Sequence, residues 1–459
     1  MPMLGGTQTI TLRHTLRYGQ SDCALAIMPL ASSDRRDEKR NGWRTRAMKK
    51  TFKLLCILML SLVVGSTAAR ADAVLDWNAI AVNTAVANKQ SPFAQARYAA
   101  IVQLAVFEAV NSITHKYKPY LGTITAPSDA SPDAAAIEAA YQVLSTYFPA
   151  SQATLYAAWT NSMQSIPDGQ GKTDGIAAGD AAAAAMIALR TNDGSSPAEF
   201  YTPGPPVPGS WQATPSCPIV NGVAVGTVFQ WQNVTPFGIR SASDFLLDPP
   251  PALTSKEYAK GYNEVMTVGG TNSTQRPPDR ANVALFYAAS SPTQVFNQVA
   301  QQVAAEQGRS LSENARALAL INMAISDSLV ATFLNKYEHT FWRPETAIHA
   351  AGNTTWTPFI TTPCFPSYPS AHGSAGNGAA EVLRRLYGEA GHAITLTNPA
   401  VPTIILQYES FRQITHDIAD ARIYGGIHYR FDQSAAARLG HAVGREVYRN
   451  NLRCIRDDE

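Results

Sequence analysis

The sequence predicts an all-α protein made of two packed helical bundles joined by a long proline-rich connector. Residues 73–191 are alanine-rich, with apolar positions at helical spacing and few β-branched runs. Helical periodicity returns at Ser255 and continues almost to the end, broken at Pro344, over residues 361–369, and at Gly425-Gly426. A weak internal echo links the two stretches: Ala96-Arg97, Ala100, Ala105 and Glu108 match Ala315-Arg316, Ala319, Ala324 and Asp327 at a constant offset of 219. Two alanine-rich helices agreeing by chance would give the same echo; two similar bundles would make it a repeat.

The elements are read in chain order. Met48-Lys-Lys-Thr-Phe-Lys53 is a basic segment, Leu54 opens an apolar run of 12 residues, and Ala69-Arg70-Ala71 offers a small-x-small cleavage site. Residues 48–71 therefore read as a secretory signal peptide, with 1–47 as an upstream leader and Met48 as the expected start. The apolar run is too short to span a bilayer, and no later segment reads as long and apolar enough to do so. Residues 72–200 form the first helical half. Residues 201–260 are the connector, with Tyr201-Thr-Pro-Gly-Pro-Pro-Val-Pro-Gly, Pro249-Pro-Pro251 and room for a short hairpin around 219–230. Residues 261–459 form the second half.

Charge and cysteines narrow the function class. Of 37 basic and 35 acidic residues, 12 and 4 lie in 1–71, leaving 25 basic and 31 acidic, a net of −6. With no basic face or run left, nucleic-acid binding is disfavoured. Export implies a periplasmic or secreted protein in an oxidising compartment. Cys217 with Cys364 is the favoured pair over Cys454, because both lie in proline-rich loops.

Three segments carry the chemistry. In Lys336-Tyr-Glu-His-Thr-Phe-Trp-Arg343-Pro344, Lys336 and Arg343 fall near one face if the stretch is helical. Pro344 disfavours helical geometry at Arg343 and so sets the guanidinium at a helix end. A solvated basic pair is the ordinary reading of such spacing; Phe341, Trp342 and Pro344 mark a packed stretch, where cations need an anion. In Pro366-Ser-Tyr-Pro-Ser370-Ala-His372-Gly, Ser370 is an expected N-cap at a helix start able to receive an anion. His372 beside it is a candidate acid–base. In Arg422-Ile-Tyr-Gly-Gly-Ile-His428-Tyr-Arg-Phe-Asp432, the glycines bend the chain so that Arg422 and His428 can face one centre. Asp432 can then hold the His428 Nδ1–H and leave Nε2 free.

In order and spacing these segments resemble the signature of the vanadium-dependent haloperoxidases and the type 2 phosphatidic acid phosphatases. The resemblance is best over residues 320–445 and implies two helical bundles. It also implies that Lys336, Arg343, Arg422, Ser370 and the Ala371 backbone N–H bind the oxygens of vanadate, or of phosphate in the same site. By the same resemblance His428 bonds the metal and His372 is the acid–base. Phe365 stands where the chloride-oxidising type has Phe, and with Trp342 would line a halide pocket. The expected partners are hydrogen peroxide, halide and a small organic substrate. Alternatively, an exported acid phosphatase would use His428 as nucleophile and His372 as acid, and a non-catalytic oxyanion binder would use only the clamp. Two departures stand out: Ala371 where the family has Gly between Ser and His, and Ala421 where it has Ser. A methyl at 371 would face the anion and exclude strained φ values.

Overall fold

Serine caps set where many of the helices begin. In this computed structural model residues 72–455 are described; the expected leader and signal peptide lie outside them. The first half contains α1 (Ala73–Ala87), α2 (Pro92–Thr114), α3 (Pro132–Tyr147), α4 (Gln152–Gln164) and α5 (Gln170–Arg190). Helix α6 (Lys256–Val268) begins within the last residues of the expected connector, and α7 (Pro278–Ala289), α8 (Pro292–Glu306), α9 (Leu311–His339) and α10 (Pro344–Ala350) follow. The chain closes with α11 (Ala371–Tyr387), α12 (Phe411–Tyr424) and α13 (Arg430–Asn450). Ser91, Ser131, Ser310 and Ser370 each accept a backbone N–H from the first turn of α2, α3, α9 and α11.

The offset of 219 is a structural repeat. Helices α2 and α9 start at residues 92 and 311, the same separation, and pack against each other at the centre. Arg97 donates to Arg190 O at the end of α5, and Arg316 donates to Leu452 O just past α13. Glu108 accepts the Tyr120 and Gly122 amides, while Asp327 accepts those of Phe237, Gly238 and Ile239. Each central helix thus buries a carboxylate that holds a loop: the one following α2 for Glu108, and the connector preceding α9 for Asp327.

The same plan governs the outer helices. Helix α3 lies on α5, and α11 on α13, at backbone distance because glycines leave room. A Cβ at Gly179 would stand 2.6 Å from Ala135 O, and one at Gly440 would stand 2.2 Å from Ser374 O. Gly440→Ala must therefore separate the two helices that carry Ser370 and Asp432. A destabilisation of roughly 1–3 kcal/mol is expected, the usual cost of overpacking, read as a lower melting temperature.

Three sequence expectations need correction. Helix α9, at 29 residues, is long and apolar enough to cross a membrane, contrary to the reading that no later segment is. Its apolar window is 94% buried within the protein, so its hydrophobicity is explained by a core packed on all sides. The second half is not purely helical: β3 (Ala390–Leu396) pairs antiparallel with β4 (Leu406–Ser410). There His392, Ile394 and Leu396 are buried and alternate with exposed neighbours, a period of two too short to register beside the helices. Lys336 and Arg343 do not share a helix. Helix α9 stops at His339, where Thr340 turns into the left-handed region (φ 43).

The connector carries the expected short hairpin, β1 (Ile219–Val220) with β2 (Val223–Ala224). It is tied to the second half by the Cys217–Cys364 disulfide, across a sequence separation of 147. That bond lies next to Phe365.

Candidate oxyanion site

Each cation of the expected clamp arrives from a helix end. Lys336 sits in the last turn of α9, fully buried, and its Nζ donates to Pro366 O (2.6 Å) and Ser367 O (2.8 Å). Arg343 is the residue before α10, held extended (φ −81, ψ 156) ahead of Pro344. It is also fully buried; Nε donates to Phe365 O (2.8 Å), and Nη1 to Ile427 O (2.8 Å) and His428 Nε2 (3.0 Å). Its Nη2 is buried without a partner. Arg422, in the last turn of α12, donates to Tyr287 O (2.9 Å).

Burial dominates the electrostatics. It lowers Arg343 to about 9 and Arg422 to about 10, and, with Arg343 adding repulsion, drives Lys336 well below the ordinary lysine range. Asp432 is the carboxylate these causes set against Lys336 and Arg343, and burial raises it to about 6. Three basic side chains therefore share a buried site, two of them, Lys336 and Arg343, set against the one carboxylate. An unbalanced buried charge is costly, so this group of side chains is suited to receiving an anion.

The histidine partners determine its tautomer. His428 Nδ1 lies 2.7 Å from Asp432 Oδ2, which can only accept, and Nε2 faces a guanidinium, which can only donate. The neutral ring must carry its proton on Nδ1 and a lone pair on Nε2, which is not free as the sequence led one to expect but accepts from Arg343 Nη1. Burial, then the charges of Arg343, Lys336 and Arg422, hold its pKa well below the normal value. The bend that allows this is Gly425-Gly426, where α12 ends and Gly426 adopts φ +81.

Ser370 caps α11 by accepting the Gly373 N–H (3.3 Å), which leaves its hydroxyl proton available. Ala371 is the first residue of α11 and does not have a positive φ, so replacing glycine there strains nothing. His372 Nε2 meets Ser290 O (3.2 Å), which makes Nδ1 its free accepting atom. Burial, then Arg422, pushes its pKa down to about 3. Arg422 and His372 thus both reach the end of α7, around Tyr287 and Ser290.

Phe365 lies beside the cations, its ring centre 5.1 Å from Lys336 Nζ and 5.0 Å from Arg343 Cζ. Trp342 instead stacks on Tyr258 (6.4 Å) in a separate aromatic cluster with Phe341, Tyr429 and Phe431. Ser367 was missed by sequence reasoning. Its hydroxyl donates to Asp432 Oδ2 at 2.6 Å, and the only sequence signal was its place within Pro-Ser-Tyr-Pro-Ser.

The first half has no such clamp: the residue 219 before Lys336 is Tyr117, and the one two after the capping Ser131 is Asp133. His416, Asp417 and Asp420 also converge on α12, but Arg280 and Arg430 already neutralise those carboxylates.

Residues 316–457 match the family model of the VCPO second helical-bundle domain. Vanadium chloroperoxidase of Curvularia inaequalis is 27% identical over 267 residues, covering 42% of this chain and 44% of that protein. The match thus spans less than half of that relative's length. A bacterial vanadium-dependent iodoperoxidase superposes with a TM-score of 0.70 at 22% identity, over 84% of this chain and 97% of its own. An apo-type bacterial vanadium-dependent chloroperoxidase gives 0.67 at 16% identity, over 78% and 93%. At these identities the two structures speak for the fold.

Proposed function

Because the chain belongs to the superfamily of vanadium-dependent haloperoxidases and type 2 phosphatidic acid phosphatases, we propose that it is a vanadate-dependent haloperoxidase oxidising halide with hydrogen peroxide. The observation that carries this reading is the buried cluster of three basic side chains, with Arg343 Nη2 unpartnered and the unprotonated Nε2 of His428 met by Arg343 Nη1. Those groups fit a compact, doubly charged oxyanion. Lys336, Arg343, Arg422, Ser370 and the Ala371 N–H would hold its oxygens, and His428 Nε2 would bond its centre. Bound vanadate would supply a Lewis acid at which peroxide becomes reactive towards halide, giving hypohalous acid that halogenates a small organic substrate.

The protein's own contributions are orientation, charge and dryness. Asp432 holds His428 in the tautomer that can ligate. The three cations oppose charge on the oxygens in a site where water does not screen them. His372, with Nε2–H held by Ser290 O, accepts or returns a proton through Nδ1. The disulfide is consistent with a periplasmic or secreted protein, and the acidic balance beyond residue 71 with the absence of a nucleic-acid partner.

A phosphatase is the second reading, favoured by one specific feature: a neutral histidine with an unprotonated Nε2 is also the nucleophile a phosphoryl transfer needs. The haloperoxidase is preferred because the clamp side chains are almost sealed, with His372 the half-buried member, which suits peroxide and halide better than an ester's alcohol group. A non-catalytic anion binder loses its motive, since Ala371 leaves the helix start intact.

The deciding experiment reconstitutes the purified protein with orthovanadate and follows peroxide- and bromide-dependent bromination, with phosphomonoester hydrolysis measured in parallel. Bromination without hydrolysis supports the proposal; the converse transfers it to the phosphatase. Phe365 is expected to keep the pocket dry, so bromide is oxidised readily and chloride weakly. Phe365→His should shift the bromide-to-chloride ratio of turnover, and an unaltered ratio removes Phe365 from halide selection.

A further inference from the structure

Ser367 is fully buried, and all three of its polar groups are engaged across the site. Its N–H donates to Phe341 O (2.8 Å), its carbonyl accepts from Lys336 Nζ (2.8 Å), and its hydroxyl donates to Asp432 Oδ2 (2.6 Å). The Asp432 carboxylate is loaded on one side. Oδ2 receives Ser367, His428 Nδ1 (2.7 Å) and the Tyr429 N–H (3.2 Å), while Oδ1 is buried with no partner. A carboxylate held this unevenly is prevented from turning by the donors on its loaded oxygen. The Ser367 hydroxyl is the one side-chain donor there besides the histidine it serves.

We propose that Ser367 is a positioning residue that locks the Asp432 carboxylate and, through it, the His428 ring, while its carbonyl sets Lys336 against the same centre. The role rests on the oxyanion reading above only in what His428 and Lys336 then bind. The Ser367 hydroxyl also lies 3.4 Å from His428 Nδ1; its loss frees Asp432 to swing toward Oδ1, so that His428 Nδ1 loses both its near acceptor and this longer contact, and with them its fixed tautomer. Nothing in this changes the inventory of the clamp; it changes where two of its members point.

The test compares Ser367→Ala with Ser367→Thr, which keeps a hydroxyl. In ¹⁵N-histidine-labelled protein without ligand, wild type and the threonine variant should show His428 as a pure Nδ1–H tautomer, and the alanine variant a mixture. By equilibrium dialysis, orthovanadate and inorganic phosphate should each bind the alanine variant about tenfold more weakly, the loss typical of one hydrogen bond to a charged group, with threonine restoring affinity. A pure Nδ1–H tautomer in Ser367→Ala, or a mixed one in a folded Ser367→Thr, overturns the proposal. If alanine does not fold, the threonine variant alone decides by the same reading. Wild type that binds neither anion would defeat the oxyanion site, yet leave the tautomer comparison to judge Ser367.

Discussion

His428→Ala should abolish stable vanadate binding, whereas His372→Ala should keep the anion and slow turnover by roughly 10²–10⁴, the range of lost acid–base catalysis. The separation follows from their partners. His428 is fixed at both ring nitrogens, by Asp432 Oδ2 at Nδ1 and by Arg343 Nη1 at Nε2, so its lone pair points into the clamp. An anion arriving there takes the place of Arg343 Nη1 at that lone pair and meets a guanidinium whose Nη2 is also unpartnered. His372 is held only through Nε2, by Ser290 O, and stands at the half-buried edge. Burial and Arg422 lower its pKa to about 3, so before binding it is neutral at working pH. A bound dianion offsets the repulsion and raises that pKa, which makes the ring usable as an acid. Dialysis for bound vanadium, alongside turnover, checks both variants. Metal lost from His372→Ala but retained by His428→Ala would reverse the assignment.

Removing any one cation should weaken oxyanion binding at least about tenfold, since each charge-assisted contact is worth roughly 1.5–3 kcal/mol. Lys336→Ala, Arg343→Ala and Arg422→Ala, titrated calorimetrically with vanadate and phosphate, measure this; unchanged affinity takes that residue out of the site. Two linked effects are expected in wild type. Lys336 and His372 both have lowered pKa values in the free protein, through burial and neighbouring cations. A dianion raises both, so binding takes up protons and weakens as pH increases. Titration in buffers of different ionisation enthalpy reads the uptake. Saturating phosphate should also stabilise the fold, by about 2.7 kcal/mol at a hundredfold excess over Kd. If proton release were observed instead, the free-state charges assigned here would be wrong.

The helical class, the connector, the serine cap at Ser370 and the residue types of the clamp were legible in the sequence alone. Each depends on chemistry that is local in the chain: apolar spacing, proline geometry, a side chain reaching an amide three residues on. The repeat was visible only as a faint echo, because bundles conserve packing faces and capping positions more than residue identities. Tertiary structure decided the rest. Lys336 and Arg343 converge not by helical spacing but because α9 ends at His339, Thr340 turns into the left-handed region, and both side chains are then held by the 365–367 carbonyls. The His428 tautomer required knowing that Arg343, 85 residues away, faces Nε2. The β3–β4 pair was hidden because seven residues of alternation carry little signal against long helices. Ser367 looked like a loop residue, because its role lies in three contacts with partners from 26 to 65 residues away, which no local pattern encodes.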